Sequence, residues 1–232
     1  ALSPAGRALC AGTGARRGIL IKNGEALEKG RCIDAVLFDK TGTLTEGKPK
    51  VTDIISVVAN ITEDEVLRIA SSVERSSEHP LARAVVDAAD EKNCAPSPVT
   101  AFENISGKGI RGIIDGKTIM VGTARFMKEE GVDWSSITVT KEQLEEEAKT
   151  VVLLARDHIL IGMLGIADTL KEDAVQAIAL LKKRGISSIM ITGDNKRTGE
   201  AIAKKLGIET VYSEVLPHEK GEKVKTLQEQ GK

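Results

Sequence analysis

The sequence predicts an α/β protein: a discontinuous parallel-sheet unit, its first strand separated from the rest by an inserted α+β unit with an antiparallel sheet. Three observations carry this. A short unbroken apolar run, Ala35-Val36-Leu37-Phe38, ends in Asp39. Hairpin-type turn signals recur between about residues 50 and 166. After about residue 167, strand and helix patterns alternate as β-α-β-α-β-α. The chain thus divides into a stalk or linker over 1–30, a parallel unit over 31–49 and 167–232 that is incomplete at its C-terminal side, and an inserted unit over 50–166.

Each element has a local cause. The run ending at Phe38 shows no alternation, so it reads as a strand buried on both faces of a parallel sheet. In the insertion, Thr62-Glu63-Asp64-Glu65 forms a capping box, and Pro80 opens a second helix. Val99–Ile105, Ile110–Ile114 and Lys117–Val121 read as strands, the last two joined through Asp115-Gly116, a strong two-residue hairpin signal. Thr140-Lys141-Glu142-Gln143 is expected to cap a charged helix, with Glu145-Glu146-Glu147 on its solvated face. Val151–Ala155 and Ile159–Ile166 read as a hairpin around Arg156-Asp157-His158, and the antiparallel sheet is expected to pack on one side.

The third segment opens with a further expected capping box, Thr169-Leu170-Lys171-Glu172, ahead of a helix carrying Leu170, Ala174, Ile178 and Leu181 and stopped by Gly185. Ser188–Ile191 is a strand closed by Thr192-Gly193-Asp194. Ala201, Ile202 and Leu206 mark a helix stopped by Gly207, Thr210–Tyr212 a short strand, and Pro217 the opening of a final helix.

Composition narrows the function. With 33 Lys+Arg against 34 Asp+Glu, the net charge of −1 argues against a general nucleic-acid binder. Aromatics are only 2%, which leaves no stacking surface for single strands. Cys10, Cys32 and Cys94 are scattered and odd in number, so neither a disulfide framework nor a structural zinc site is indicated, and a reducing compartment is the natural setting. No apolar run reaches the roughly 18–20 residues that span a bilayer.

The chemistry concentrates at strand ends. Asp39 sits where burial would penalise a carboxylate unless it were paired. Held beside a metal ion and backbone N–H groups, such a carboxylate can attack phosphorus. Gly42 lets backbone approach an anion, and open α/β sheets bind ligands at this edge. Taken alone, an Asp here is more often a turn residue.

The whole string decides. Asp39-Lys40-Thr41-Gly42-Thr43-Leu44-Thr45 matches the DKTGTLT phosphorylation motif of P-type ATPases at every position. That resemblance implies a haloacid-dehalogenase-like, Rossmann-type phosphorylation domain. In it Asp39 takes the γ-phosphoryl group of ATP, Lys40 and Thr43 neighbour the phosphates, and the Asp39 carboxylate and Thr41 carbonyl are Mg²⁺ ligands. Thr192-Gly193-Asp194 resembles the TGD element of the same family, which implies a Thr192 hydroxyl on a phosphoryl oxygen. Lys220 resembles the lysine that neutralises the phosphate.

The insertion narrows the family. Ser77-Glu78-His79-Pro80-Leu81-Ala82 resembles the SEHPLA element of heavy-metal (P1B-type) transporters, implying that Glu78 and His79 meet the adenine end of ATP. Gly107-Lys108-Gly109-Ile110 resembles their GxG element, where missing side chains let ATP approach. Val121-Gly122-Thr123 falls where copper-type members carry Gly-Asn, and Thr123 departs from that pattern. Gly18–Lys22 with Glu25–Glu28 looks like the stalk that follows the last membrane helix before the phosphorylation domain. Residues 1–17 match it poorly.

The family reading implies a cytoplasmic domain of an integral membrane protein. Its partners are ATP and the parent's membrane and actuator domains, with no nucleic acid. Copper(I) is the first choice of cargo, with zinc, cadmium or cobalt open, and the cargo is not bound by these residues. Nothing after Lys220 supplies the family's GDGxND element, which completes the Mg²⁺ site. The chain is therefore expected to bind nucleotide and to phosphorylate itself weakly or not at all. Two other readings stay open: a soluble haloacid-dehalogenase-type phosphatase, disfavoured because Thr41 stands where such hydrolases place a second Asp, and a nucleotide-binding module without turnover.

Overall fold

A computed structural model of the chain describes residues 12–21, 23–25, 30–216 and 218–229. In chain order the elements are β1 (Ala35–Asp39), β2 (Lys50–Ser56), α1 (Glu63–Glu74), α2 (Pro80–Glu91), β3 (Thr100–Ile105), β4 (Gly109–Ile114), β5 (Lys117–Gly122), α3 (Ala124–Glu129), α4 (Thr138–Glu146), β6 (Thr150–Arg156), β7 (Ile159–Ala167), α5 (Ala174–Lys183), β8 (Ser187–Ile191), α6 (Lys196–Leu206), β9 (Thr210–Tyr212) and α7 (Lys220–Glu229). The strands form a parallel sheet, β1-β8-β9, and an antiparallel sheet, β2-β7-β6-β5-β4-β3.

The parallel sheet puts its chemistry at one edge. β1 and β8 pair in register from Ala35 opposite Ser187 to Asp39 opposite Ile191, so Asp39 and the Thr192 turn leave the sheet side by side. Met190, Ile178, Ala203 and Leu206, from β8, α5 and α6, form its core with Leu44. Every position of β1 is half-buried rather than fully buried as expected. Among the described residues β1 is an edge strand with β8 as its one neighbour, and that leaves its flank open.

The antiparallel sheet is covered on both faces, not on one. Val152, Leu154, Ile161 and Leu164 pack with α1 and α2 residues such as Val66, Val73 and Val85. Val151, Leu153, Ala155 and Met163 pack on the opposite face with Phe126, Met127, Ile137 and Leu144. The unbroken apolar runs of β6 and β7 are the physical reason: a strand apolar at every position needs cover on both sides. Asp115 and Gly116, at φ +50° and +74°, make the expected tight turn between β4 and β5.

Thr62 accepts the Glu65 N–H as its capping box requires. The other two boxes are not used. α4 starts at Thr138 behind a 3₁₀ turn over Ser135–Ile137, which places Thr140 inside the helix. α5 starts at Ala174, because residues before it are held elsewhere: Glu46 N–H donates to the Thr169 carbonyl, and Lys171 N–H to the Leu44 carbonyl. Gly185 and Gly207 follow their helices at φ +73° and +75°, as helix stops require. The expected helix opening at Pro217 and the parts of the stalk at 1–11, 22 and 26–29 lie outside the described residues.

Candidate active site

Asp39 ends β1, and the chain then makes a wide turn over Lys40–Leu44 in which Gly42 adopts φ +73°. This is a left-handed conformation that other residues adopt at a cost. The turn is tied from behind by residues that sequence reasoning passed over. Thr45 donates its hydroxyl to Asp168 Oδ2 at 2.6 Å and accepts the Gly42 N–H at 3.2 Å. Lys48 N–H donates to Asp168 Oδ1, and Lys171 Nζ donates to the Gly42 carbonyl at 3.1 Å. Asp168 and Lys171 begin the return into the parallel unit, so the crossing strand clamps the loop that follows Asp39. The failed capping box at 169–172 was the available signal: its residues serve this loop instead.

Around Asp39 the charges are paired. Lys220 Nζ, at the start of α7, sits 2.5 Å from Asp39 Oδ2, and the Asp39 side chain remains 44% exposed. Lys40 turns the other way. It is nearly buried and meets Asp194 Oδ2 at 2.6 Å. Thr192 donates to the same Oδ2 at 2.9 Å and accepts the Asp194 N–H at 3.1 Å. Asp39, Lys40, Thr192, Gly193, Asp194 and Lys220 are therefore brought to one sheet edge. Thr192 is bonded within its own turn rather than to Asp39. Thr41 and Thr43 are exposed beside it.

A second cluster lies on the inserted unit. Glu74, Arg75, Ser77, Glu78, His79, Arg83 and Val86 line a cavity of about 470 Å³. His79 caps α2, its Nδ1 accepting the Leu81 N–H at 3.2 Å, so a neutral ring carries its proton on Nε2. Desolvation holds its pKa below the usual imidazole range, with Asp194 pulling it up and Lys40 pushing it down. Those last two influences come from the Asp39 edge, so the two clusters face each other within electrostatic reach. Glu74, absent from the sequence-based set, is buried in the cavity wall, and burial raises its carboxyl to about 7. Its signal was an acid on the apolar side of α1, five residues before His79.

The glycine cluster has a packing cause of its own. Gly109 of β4 lies opposite Gly122 of β5. A Cβ on Gly122 would meet the Lys108 carbonyl at 2.6 Å and the Phe126 ring at 2.8 Å, while one on Gly109 would strike the Val121 carbonyl and Gly122. Gly107, at φ +72°, abuts Leu216 of the parallel unit. Thr123 is the N-cap of α3, accepting the Phe126 N–H at 3.2 Å. Ile110 is in the core, and its strand is paired on both sides, opposite Asn104 and Val121, so its side chain is not brought to the cavity.

No group of three or more His, Cys, Asp or Glu side chains able to hold a metal occurs among the described residues. The hard oxygens here, the Asp39 carboxylate and the exposed Thr41 backbone, fit a Mg²⁺ that keeps its other positions for water and phosphate. No described helix is long and apolar enough to cross a membrane.

Comparison with known proteins bears on the family and the fold. Residues 33–232 match the haloacid dehalogenase-like hydrolase family. A probable copper-exporting P-type ATPase of Archaeoglobus fulgidus is 48% identical over 94% of the chain, which spans 26% of that protein. The solved catalytic domain of the CPx-ATPase CopB-B, described for its conformational changes upon nucleotide binding, is 30% identical with a TM-score of 0.70, over all of this chain and 78% of that one. A zinc-transporting PIB-type ATPase in its E2.Pi state is 36% identical with a TM-score of 0.64, over 97% of this chain and 36% of that one. The chain spans about a quarter of the length of the curated relatives it matches.

Proposed function

Because the chain belongs to the haloacid dehalogenase-like hydrolases, and within them to the catalytic domains of heavy-metal P1B-type ATPases, we propose that it binds ATP across its two units and receives the γ-phosphoryl group on Asp39. The observation that carries this is the Asp39–Lys220 pair at 2.5 Å beside the Thr192 turn, on an edge whose Asp194 and Lys40 lie within electrostatic reach of His79. In this reading 50–166 is the nucleotide-binding domain, 31–49 with 167–232 the phosphorylation domain, and 1–30 the stalk.

The residues divide the work. Glu74, protonated below about pH 7, offers an O–H to a ring nitrogen of adenine in that form, and His79 offers its Nε2–H, with Glu78 at the rim. The Gly107–Gly109 strand end and Gly122 give close backbone approach beside Thr123. Lys220 offsets charge on the phosphoryl group as an Asp39 oxygen attacks phosphorus in line and the ADP oxygen leaves. Thr41, Thr43 and Gly193 are exposed at the same edge, and the Thr192 hydroxyl would have to leave Asp194 to meet a phosphoryl oxygen. Asp39 and the Thr41 carbonyl would hold a Mg²⁺, which would supply further charge neutralisation when bound. With Thr rather than a second acid at position 41, no general base stands ready to hydrolyse the aspartyl phosphate.

The parent protein would use this cycle to export a heavy metal, copper(I) by analogy with the copper-exporting relatives, from the cytosolic face of a membrane, with membrane and actuator domains as partners. Calorimetric titration with ATP tests the reading. The wild type binds one nucleotide, and His79→Gln weakens it about tenfold. Unchanged binding would remove His79 from the site.

A further inference from the structure

The two units meet along a contact that none of the family motifs covers. Glu145 of α4 was expected on a solvated face. It is instead 2% exposed. Its carboxylate takes Lys141 Nζ at 2.7 Å, Asn195 Nδ2 at 2.9 Å and Arg197 at 3.3 Å, the last two from the start of α6. The turn that follows α4 is docked as firmly. Ala148, at φ +73°, packs on the core of the parallel unit. The Lys149 carbonyl accepts the Thr198 hydroxyl, and the Glu147 carbonyl accepts Lys205 Nζ, both at 2.9 Å.

This turn presents one side chain to the Asp39 edge. Thr150, the first residue of β6, donates its hydroxyl to Asp194 Oδ1 at 2.9 Å. Asp194 Oδ2 is already taken by Lys40 and Thr192. With both oxygens engaged, the carboxylate cannot rotate about its Cβ–Cγ bond. Without Thr150, Oδ1 is left in a nearly buried site with no described partner, and the plane of the group is free to turn.

We propose that Thr150 is a positioning residue for phosphoryl transfer: from the nucleotide-binding unit, its hydroxyl locks Asp194, which anchors the Lys40 side chain and so the turn that follows the nucleophile Asp39. The proposal rests on the reading of Asp39 as phosphoryl acceptor. It links docking of the inserted unit to order at the nucleophile, because Thr150 reaches Asp194 only while the 147–149 turn is seated on α6.

The test uses this chain and reads Lys40 directly. In ¹⁵N-lysine-labelled protein, the buried, ion-paired Lys40 ammonium gives a slowly exchanging ¹H–¹⁵N signal, assigned by its absence in Lys40→Met. Thr150→Val, an isosteric change, shifts that signal or loses it to exchange, while Thr150→Ser restores it. A Lys40 signal unchanged in Thr150→Val overturns the proposal. So does an equal change in the Ser variant, since that assigns the effect to packing. Should Thr150→Val fail to fold, Thr150→Ser and Glu145→Gln decide: the signal stays in the first and broadens in the second, and the reverse overturns the proposal. ATP titrations run alongside give a dissociation constant within about twofold of the wild type for the Thr150 variants. A wild type that binds no ATP contradicts the proposed function while leaving the Lys40 result to judge the coupling.

Discussion

Lys220 Nζ lies 2.5 Å from Asp39 Oδ2 across 181 residues of chain, the whole inserted unit falling between them. The pair joins the first strand of the parallel sheet to the start of its last described helix. Both side chains are partly open to solvent, so screening limits its worth to stability. Its role in the account is to place a cation where a phosphoryl group must sit. Asp39→Asn should therefore change the unfolding free energy by under about 1 kcal/mol in urea titrations, leaving a folded protein as a control.

Glu74 makes stability pH-dependent. Burial raises its carboxyl to about 7 in the folded chain, against roughly 4.3 when exposed. The folded state then holds a proton that the unfolded state has released, so the contribution is full below about pH 4.3 and is lost as pH rises through about 7. The loss is at most roughly 4 kcal/mol. Thermal melts from pH 5 to 8 should show this slope in the wild type and a flatter one in Glu74→Gln. The same variant should bind ATP with little pH dependence over that range.

Glu145 ties α4 to α6 through Asn195 and Arg197 while enclosed by protein. Truncation leaves the Lys141 ammonium without its carboxylate and removes one of the two acceptors of Asn195 Nδ2, so Glu145→Ala should cost roughly 2 kcal/mol in chemical denaturation. A surface glutamate on a solvated helix face would cost almost nothing, and denaturant midpoints separate the two cases.

Thr41 stands two positions beyond Asp39, where an acid would assist hydrolysis. Turnover of p-nitrophenyl phosphate should be negligible in the wild type. Assays at millimolar substrate with Asp39→Asn as blank would reveal any phosphatase, and a clear Asp39-dependent rate would favour the hydrolase alternative.

Most of the strand and turn plan was legible because its signals are local. The apolar run into Asp39, the Asp115-Gly116 turn and the glycines at 185 and 207 each state a backbone requirement that nothing distant overrides. The helix starts at 140 and 169 misled for the opposite reason. A capping box is a local option, and tertiary bonds took it away: the 3₁₀ turn at Ser135 starts α4 early, and the Leu44 and Thr169 carbonyls hold 169–171 against the Asp39 loop.

The site divides along the same line. A contiguous motif such as 39–45 can be read directly. The roles of Asp168, Lys171 and Thr150 could not be, since each acts on a partner brought near only by folding, and Glu74 is set apart only by its burial. Glu145 was misread because three consecutive glutamates look alike in sequence, and only the docking of α4 on α6 distinguishes the buried one.

In the proposed function one nucleotide spans the two units, with adenine at Glu74 and His79 and the terminal phosphate at Asp39 and Lys220. Calorimetric affinities for ATP and AMP in three proteins test it directly. His79→Gln should weaken both nucleotides about tenfold, whereas Lys220→Met should weaken ATP about tenfold and leave AMP unchanged. If Lys220→Met affects ATP and AMP alike, or neither, the phosphates do not reach Asp39 and the account fails.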